Sequence, residues 1–135
     1  MESPQKIIIV MSHGKNRPDL LITPINIARV AAAIEVEVKL VFTGNGGELL
    51  HQDIAPQLRS KPEEPTFLET LTKIRKEGVQ VYVCSPVLEY FGWSKEDFVK
   101  EIDGFVGGMF LISESLEALE TSTFTEYCPF LTVDC

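Results

Sequence analysis

The sequence lacks any apolar run that approaches the roughly 20 residues of a membrane-spanning helix. Its N-terminus also lacks the basic stretch, apolar core and small-residue cleavage site of a signal peptide. Basic residues are few, because 12 Lys and Arg stand against 20 Asp and Glu and give a formal net charge of −8. That charge repels phosphate backbones and anionic lipid headgroups. We therefore expect a cytoplasmic protein with no nucleic-acid partner and no membrane partner.

Cysteine is also scarce, with single thiols at Cys84, Cys128 and Cys135. An odd number cannot pair completely within one chain, and cytosolic thiols stay reduced by default. No CxxC, HExxH or other metal-ligand spacing occurs, so we expect no metal and no other cofactor. No Arg follows Cys84 at the distance of a phosphate-binding loop, which argues against phosphatase-type chemistry. With 135 residues, the chain is expected to fold as a single domain over 1–135 without disulfides or a structural metal, with a tail from about 128.

Apolar segments predict the strands of a sheet. Residues 6–11 form a continuous run rich in β-branched side chains, typical of a central strand of a parallel sheet. Residues 36–42 alternate partly with period two, which indicates a strand nearer the edge. Residues 79–83 predict a third strand. Weaker patterns predict a fourth at 105–106 and a fifth at 121–127.

The first predicted helix is apolar nearly all round. Thr23 and Pro24 supply an N-cap and a first-turn proline, and the helix continues to about Ile34 with only Asn26 and Arg29 polar. A helix with one face in water should be more amphipathic, so we expect another subunit to cover it. The alternative is that an Ala-rich surface is simply exposed.

Two further helices have clear signals. Thr66 and Glu69 form a capping box, and Gly78 is placed to end that helix in a left-handed conformation. The spacing of one apolar stripe predicts a helix over about 108–119: Met109, Ile112, Leu116, Leu119. The Pro-rich stretch 52–65 between the halves reads as a solvated loop.

The alternation of strands and helices predicts an α/β fold with helices on both faces of a mostly parallel five-stranded sheet. With strand one central, the expected order is 2-1-3-4-5. Ligands of such sheets bind beyond the carboxyl ends of the strands, where the order reverses. We therefore expect the site between strands one and three, where residues 12–17 and 84–90 leave the sheet.

Cys84 is the predicted nucleophile of this site. It ends a strand just before a short helical turn over 86–91, whose free amides and dipole would stabilise a thiolate. His13 is expected to approach it and accept the thiol proton. The structural alternatives are a small core residue for Cys84 and a solvated surface residue for His13.

Other residues at this edge are candidates for ligand contacts: Ser12, Gly14, Asn16, Ser85, Tyr90. The Gly-rich run 44–50 before His51 matches no phosphate-loop spacing, so a tight turn is favoured over an anion cradle. The aromatic side chains of Tyr90, Phe91 and Trp93 form either a wall of the Cys84 pocket or core packing.

An ordered set of motifs resembles the DsrE/DsrF-like family, with its TusD/YchN-like sulfur relay proteins. The resemblance covers about residues 5–127 and rests on five segments: VMSHG at 10–14, VFTG at 41–44, GVQVYVC at 78–84, GWSKED at 92–97 and IDGFVGG at 102–108. It implies a flavodoxin-like three-layer domain that assembles as a homotrimer or homohexamer. It also implies a cysteine after the third strand that carries persulfide or thiosulfonate sulfur, and Cys84 matches that position. The family pattern explains neither the 52–65 segment nor the tail.

Three functional hypotheses follow. The first is a sulfur carrier or sulfurtransferase that passes sulfur on Cys84 from a donor protein to an acceptor protein. The second is a non-enzymatic small-ligand or regulatory module that uses the same pocket, with His13, Asn16 and Tyr90. The third is disulfide exchange between Cys84 and a tail cysteine, which requires Cα atoms within about 7 Å.

Overall fold

The computed structural model describes residues 5–121 and 131–132. Four strands and one two-residue strand alternate with four helices. The strands are β1 Lys6–Met11, β2 Glu37–Phe42, β3 Gln80–Cys84, β4 Gly104–Val106 and β5 Leu131–Thr132. The helices are α1 Ile22–Ala33, α2 Phe67–Lys76, α3 Pro86–Phe91 and α4 Gly108–Thr121.

All strand pairs are parallel, and the order is β4-β3-β2-β1-β5. The predicted order 2-1-3-4-5 is wrong, because β2 lies between β1 and β3. The expectation that the second strand lies nearer the edge is wrong for the same reason. Its period-two pattern has another cause: Lys39 alternates with apolar residues but is itself buried, on a face where it meets carboxylates. The polar residue in the alternating pattern of β2 therefore faces buried carboxylates and not solvent.

The helices lie in two layers around the sheet. Phe67 of α2 packs edge-on against Phe42 at 6.0 Å between ring centroids, whereas Phe110 of α4 contacts Tyr82 at 4.9 Å. Phe42 and Tyr82 point to opposite faces, since Tyr82 is level with Val41 in the β2–β3 register. The predicted three-layer α/β architecture is therefore present. Of the predicted strand 121–127, Thr121 ends α4 and 122–127 lie outside the described residues.

Helix α1 begins earlier than the sequence predicts. A 3-10 turn at Pro18–Leu21 leads directly into it, and Leu21 takes the N-cap position without a side-chain bond. Thr23 is consequently inside the helix. Pro24 lies in the first turn, where its missing N–H removes no helical hydrogen bond.

Helix α2 begins and ends as predicted. The Thr66 hydroxyl accepts the Glu69 amide at 3.2 Å, and the Glu69 carboxylate accepts the Thr66 amide at 3.2 Å. Gly78 follows the helix with φ of 107°, a conformation that side chains disfavour.

The face of the sheet toward α1 and α2 is entirely apolar. Aliphatic side chains from three strands alternate onto it and are almost completely buried, which makes it the main core of the domain. These residues are Ile7, Ile9, Met11, Val38, Leu40, Phe42, Val81 and Val83.

The face toward α4 carries a buried ion cluster, defined as Lys6, Glu37, Lys39, Glu114 and Glu117. Glu114 accepts Lys39 at 2.6 Å and Lys6 at 2.9 Å, and Lys39 also pairs with Glu37. Burial opposes the charge on Lys39, but the hydrogen bonds that Lys39 donates to the two carboxylates outweigh it and raise its pKa. Burial likewise opposes the charge on Glu114, yet both lysines together lower its pKa.

Helix α4 therefore faces the sheet with charged and polar side chains as well as with Phe110 and Leu111. Glu114 and Ser115 are buried, whereas the apolar stripe predicted from the sequence points outward, with Met109 75% and Ile112 57% exposed. Leu116 of the stripe is exposed as well. The helix itself is confirmed, and three residues of its predicted stripe lie on the surface, whereas the side chain of Leu119 lies outside the described residues.

We expect Glu114→Gln to lower the free energy of unfolding by about 3 kcal/mol, because it leaves Lys39 and Lys6 buried with too little negative charge. Glu117→Gln, one turn along the same helix and more than half exposed, should cost at most about 1 kcal/mol. Urea denaturation measures both. Equal losses for the two variants would contradict the assignment of Glu114 as the centre of the cluster.

Candidate functional site

The carboxyl edge of the sheet carries the predicted site residues in a different arrangement from the one expected. The order reverses between β1 and β5, because the chain advances from β1 to β4 in one direction and returns on the far side of β1. Since β2 separates β1 from β3, the strands ending at Met11 and Cys84 lie two strand spacings apart, or roughly 10 Å. The expected adjacency of strands one and three is wrong.

Cys84 ends β3 and is a free thiol, 5% exposed. The β2–β3 register pairs Phe42 with Val83, which makes Thr43 the residue beside Cys84. The Thr43 side chain lies close enough to the Cys84 thiol to lower its pKa through a hydrogen-bonding interaction. Thr43 was not among the predicted site residues, and only the correct strand order could have identified it.

Burial raises the pKa of the Cys84 thiol, and the hydrogen bond from Thr43 opposes this only in part. The helical turn that follows Cys84 in the sequence predicts a lowered pKa for the thiol. That turn is present as α3, ending at Gly92 with φ of 71°. It spans only six residues, however, and the Ser85 amide at its start donates to the Val106 carbonyl at 2.8 Å. Burial is the largest cause of the shift in the pKa of Cys84.

The Gly-rich run is a 3-10 turn at Gly44–Leu50 that packs between the end of β1 and α3. A Cβ on Gly46 would lie 2.0 Å from the Met11 carbonyl oxygen, and one on Gly47 would lie 2.3 Å from Val87. Glycine is required here for close packing. The interpretation as a tight turn is confirmed.

The loop after β1 is anchored to this turn. Glu48 accepts the Lys15 amide at 3.2 Å, and Gly14 packs against the same carboxylate. Ser12, His13 and Gly14 are half-buried, whereas Asn16 is exposed. The loop thus combines half-buried and exposed residues at the carboxyl edge of the sheet. Strand β2 lies between this loop and Cys84.

His13 lies close enough to Asp19 to help lower the pKa of that carboxyl, a shift caused mainly by the Arg17 hydrogen bond. The prediction that His13 serves Cys84 depended on the adjacency of β1 and β3, which the strand order does not provide. A contact between His13 and Cys84 stays a prediction without that support.

The aromatic residues after α3 form a stack beside the site. Trp93 stacks on Phe91 at 4.4 Å and contacts the His51 ring at 4.3 Å. Tyr90 is 66% exposed and meets Phe91 edge-on. Phe91 and Trp93 are packing residues against the core, as one of the two interpretations held, and Tyr90 stands in solvent at the rim.

Within the residues that the structure describes, no group of His, Cys, Asp and Glu could hold a metal ion. Over the same part of the chain, no helix is long and apolar enough to cross a membrane. Cys128 and Cys135 lie outside the described residues, so disulfide exchange with Cys84 stays a prediction.

Comparison with known proteins gives a family and a fold. The model of the DsrE/DsrF-like family matches residues 5–127. The chain is similar to the crystal structure of the ychN protein from E. coli, with 13% identity, a TM-score of 0.66 and coverage of 86% of this chain and 95% of the other. It is also similar to a protein of unknown function from Methanobacterium thermoautotrophicum, with 19% identity, a TM-score of 0.59 and coverage of 84% and 92%. No curated protein matches the sequence.

We expect Cys84 to alkylate with an apparent pKa above the free-cysteine value of about 8.5, because burial disfavours its thiolate. Thr43→Val should raise that pKa further by removing the donor to the sulfur. Rates of iodoacetamide modification against pH, in a Cys128→Ser, Cys135→Ser background, measure it. Thr72→Val, on α2 and remote from the thiol, is the matched control. A midpoint clearly below about 8.5 would show that the helical turn dominates after all.

Proposed function

The chain belongs to the DsrE/DsrF-like family, and on that premise we propose that it is a sulfur carrier or sulfurtransferase that holds sulfane sulfur on Cys84. The observation that carries the proposal is the place of this thiol. It lies at the carboxyl end of an interior strand, with a hydroxyl donor from Thr43 on the neighbouring strand. The motif ending at Cys84 is also the one that resembles the sulfur-bearing segment of the family.

The chemistry needs no external oxidant. The Cys84 thiolate attacks the outer sulfur of a donor persulfide, forming a new S–S bond while the bond between the two donor sulfurs breaks. The donor leaves as a thiolate with the electron pair of that bond. An acceptor thiolate then attacks the outer sulfur on Cys84, takes it as a new persulfide, and releases the Cys84 thiolate.

The raised pKa of Cys84 sets the order of events. At neutral pH the buried thiol is protonated, and it attacks only after losing that proton. Thr43 donates to the sulfur and stabilises the anion once it forms. Since Cys84 is 5% exposed, the donor protein must reach it at the rim formed by Ser85 and Pro86, both exposed. The same burial shields a bound persulfide from small thiols.

The partners in this proposal are a sulfur-donor protein, a sulfur-acceptor protein and further copies of the chain in a homotrimer or homohexamer, all in the cytoplasm. Two helical surfaces support self-association. On α1, Val30 is 63% and the adjoining Ile34 67% exposed, and on α4 the Met109 stripe faces outward. Apolar residues clustered on two helices are typical of surfaces that another chain covers.

A second candidate function is a non-enzymatic ligand-binding or regulatory module at the same edge. The observation that favours it is the raised pKa of Cys84, which is also what a packing residue would have. The half-buried loop at Ser12, His13 and Gly14 would then contact the ligand, with Asn16, Ser85 and Tyr90 at the rim.

We expect incubation with a polysulfide donor to add one or more sulfur atoms to the chain that keeps Cys84 and none to Cys84→Ser. Both proteins carry Cys128→Ser and Cys135→Ser, so that intact mass reports one thiol. Loading should slow in Thr43→Val, which keeps the shape of the side chain but lacks the donor. His13→Gln tests the predicted proton acceptor and lowers the rate only if His13 reaches Cys84. Absence of any adduct on Cys84 would move the function to the binding module.

The chain should sediment as a trimer or hexamer at micromolar concentration, because α1 and α4 expose apolar side chains that association would bury. Val30→Glu should dissociate an assembly that uses α1, and Met109→Glu one that uses α4. Lys76→Glu, at the exposed end of α2, is the control and should leave the assembly unchanged. A monomer in the wild-type protein would refute the inference from both helices.

A further inference from the structure

A cleft lies away from Cys84, between the first halves of α1 and α2, and the 58–65 part of the connecting loop covers one side of it. This loop belongs to the 52–65 segment that the family resemblance leaves unexplained. It is built into the fold, because the Phe67 amide donates to the Leu58 carbonyl at 2.8 Å and the Leu68 amide to Ala55 at 3.0 Å. Ala55 is completely buried. The loop therefore forms a fixed wall of the cleft.

The inside of the cleft is lined by apolar side chains, and its volume is close to that of one aromatic ring. Leu21, Ile25 and Phe67 are buried at its base, and Leu58 contributes the loop wall. Its volume is about 190 Å³. An apolar cavity of about 150 Å³ holds a benzene molecule, so this cleft takes a ring or a branched alkyl group.

The mouth of the cleft carries two opposite charges that are not paired with each other. Among the described residues, Arg59 forms no ion pair, and its one hydrogen bond goes from Nη1 to the Glu64 carbonyl oxygen at 2.6 Å. Glu64 also lines the cleft, and its carboxylate has no hydrogen bond or ion pair in the described part of the chain. The second cleft arginine, Arg29, is already held by the Glu77 carboxylate through two bonds of 3.1 and 3.2 Å.

We propose that this cleft binds a free α-amino acid with an apolar or aromatic side chain. The ligand carboxylate binds the open donors of Arg59, its ammonium group donates to the Glu64 carboxylate, and its side chain fills the cavity. A simple anion would meet Glu64 and the overall charge of −8, and a simple cation would meet two arginines. A zwitterion satisfies both groups at the mouth. The site is independent of the sulfur chemistry proposed for Cys84.

The first test uses the unaltered full chain, so it does not depend on the folding of any variant. Amide chemical shifts are followed by NMR during titration with L-phenylalanine and L-leucine. Saturable shifts are expected at Leu58, Phe67 and Thr70. L-phenylalaninamide, which lacks the carboxylate, and N-acetyl-L-phenylalanine, which lacks the ammonium group, should each bind about tenfold or more weakly, the value of one charge-assisted hydrogen bond.

The second test compares the two charged loop residues that line the cleft with two charged residues of the same loop that do not. Arg59→Gln and Glu64→Gln should each weaken L-phenylalanine binding about tenfold. Lys61→Gln and Glu63→Gln are matched controls, because both residues are exposed in the same loop but lie outside the cleft. Sulfur loading of Cys84 should be unchanged in all four variants. Failure of the sulfur-carrier proposal and failure of the amino-acid proposal can therefore be distinguished.

Three results would overturn the proposal. One is the absence of saturable shifts with either amino acid at millimolar concentration. Another is binding of the amide or the N-acetyl derivative as tight as that of the amino acid, which would leave an apolar or singly charged ligand. The third is an equal loss of binding in the loop controls and in the cleft variants, which would make the effect one of net charge.

Discussion

The attachment of α4 through buried charges is the constraint on which the rest of the structure depends. A helix normally covers a sheet with its apolar side, but here Glu114 binds Lys39 and Lys6 beneath it. Burying these charges is favourable only because each meets an opposite charge within hydrogen-bond distance. The polar side of α4 is thus held inward, and its apolar stripe remains outside. The two faces of the sheet differ for the same reason: one carries only apolar side chains, whereas the other combines buried Ile8, Val10 and Val41 with the ion cluster.

Local signals in the sequence identified most of the elements. The capping box at Thr66, the left-handed Gly78 and the short turn ended by Gly92 depend on near neighbours in the chain, and all three are present. Strand order depends on which buried strand lies in the middle, and that information is not local. The alternation of Lys39 with apolar residues resembled an edge strand because a charge buried against a distant carboxylate looks like a solvated one. Lys39 also pairs with Glu37 nearby, but its buried partner Glu114 lies 75 positions away, beyond any pattern window.

The candidate site shows the same division. Cys84 at a strand end and the tight turn at Gly44–Leu50 were predictable, because each depends on near neighbours in the chain. Thr43 was not, since its place beside Cys84 follows from the β2–β3 register. The prediction that His13 lies at the thiol assumed that β1 and β3 are neighbours, whereas β2 lies between them. The pKa of Cys84 depends on three-dimensional burial, which the sequence analysis could not weigh against the short helical turn.

The outward stripe of α4 has a consequence for how this chain can change over time. In most α/β domains an apolar residue of a covering helix belongs to the core, so its replacement risks the fold. Here Met109 and Ile112 contribute little to the core, and Glu114 holds the helix instead. Substitutions along the stripe can change the surface of the domain while the domain stays folded. The residues that shape this surface and the residue that holds the helix in place are therefore separate positions of one helix.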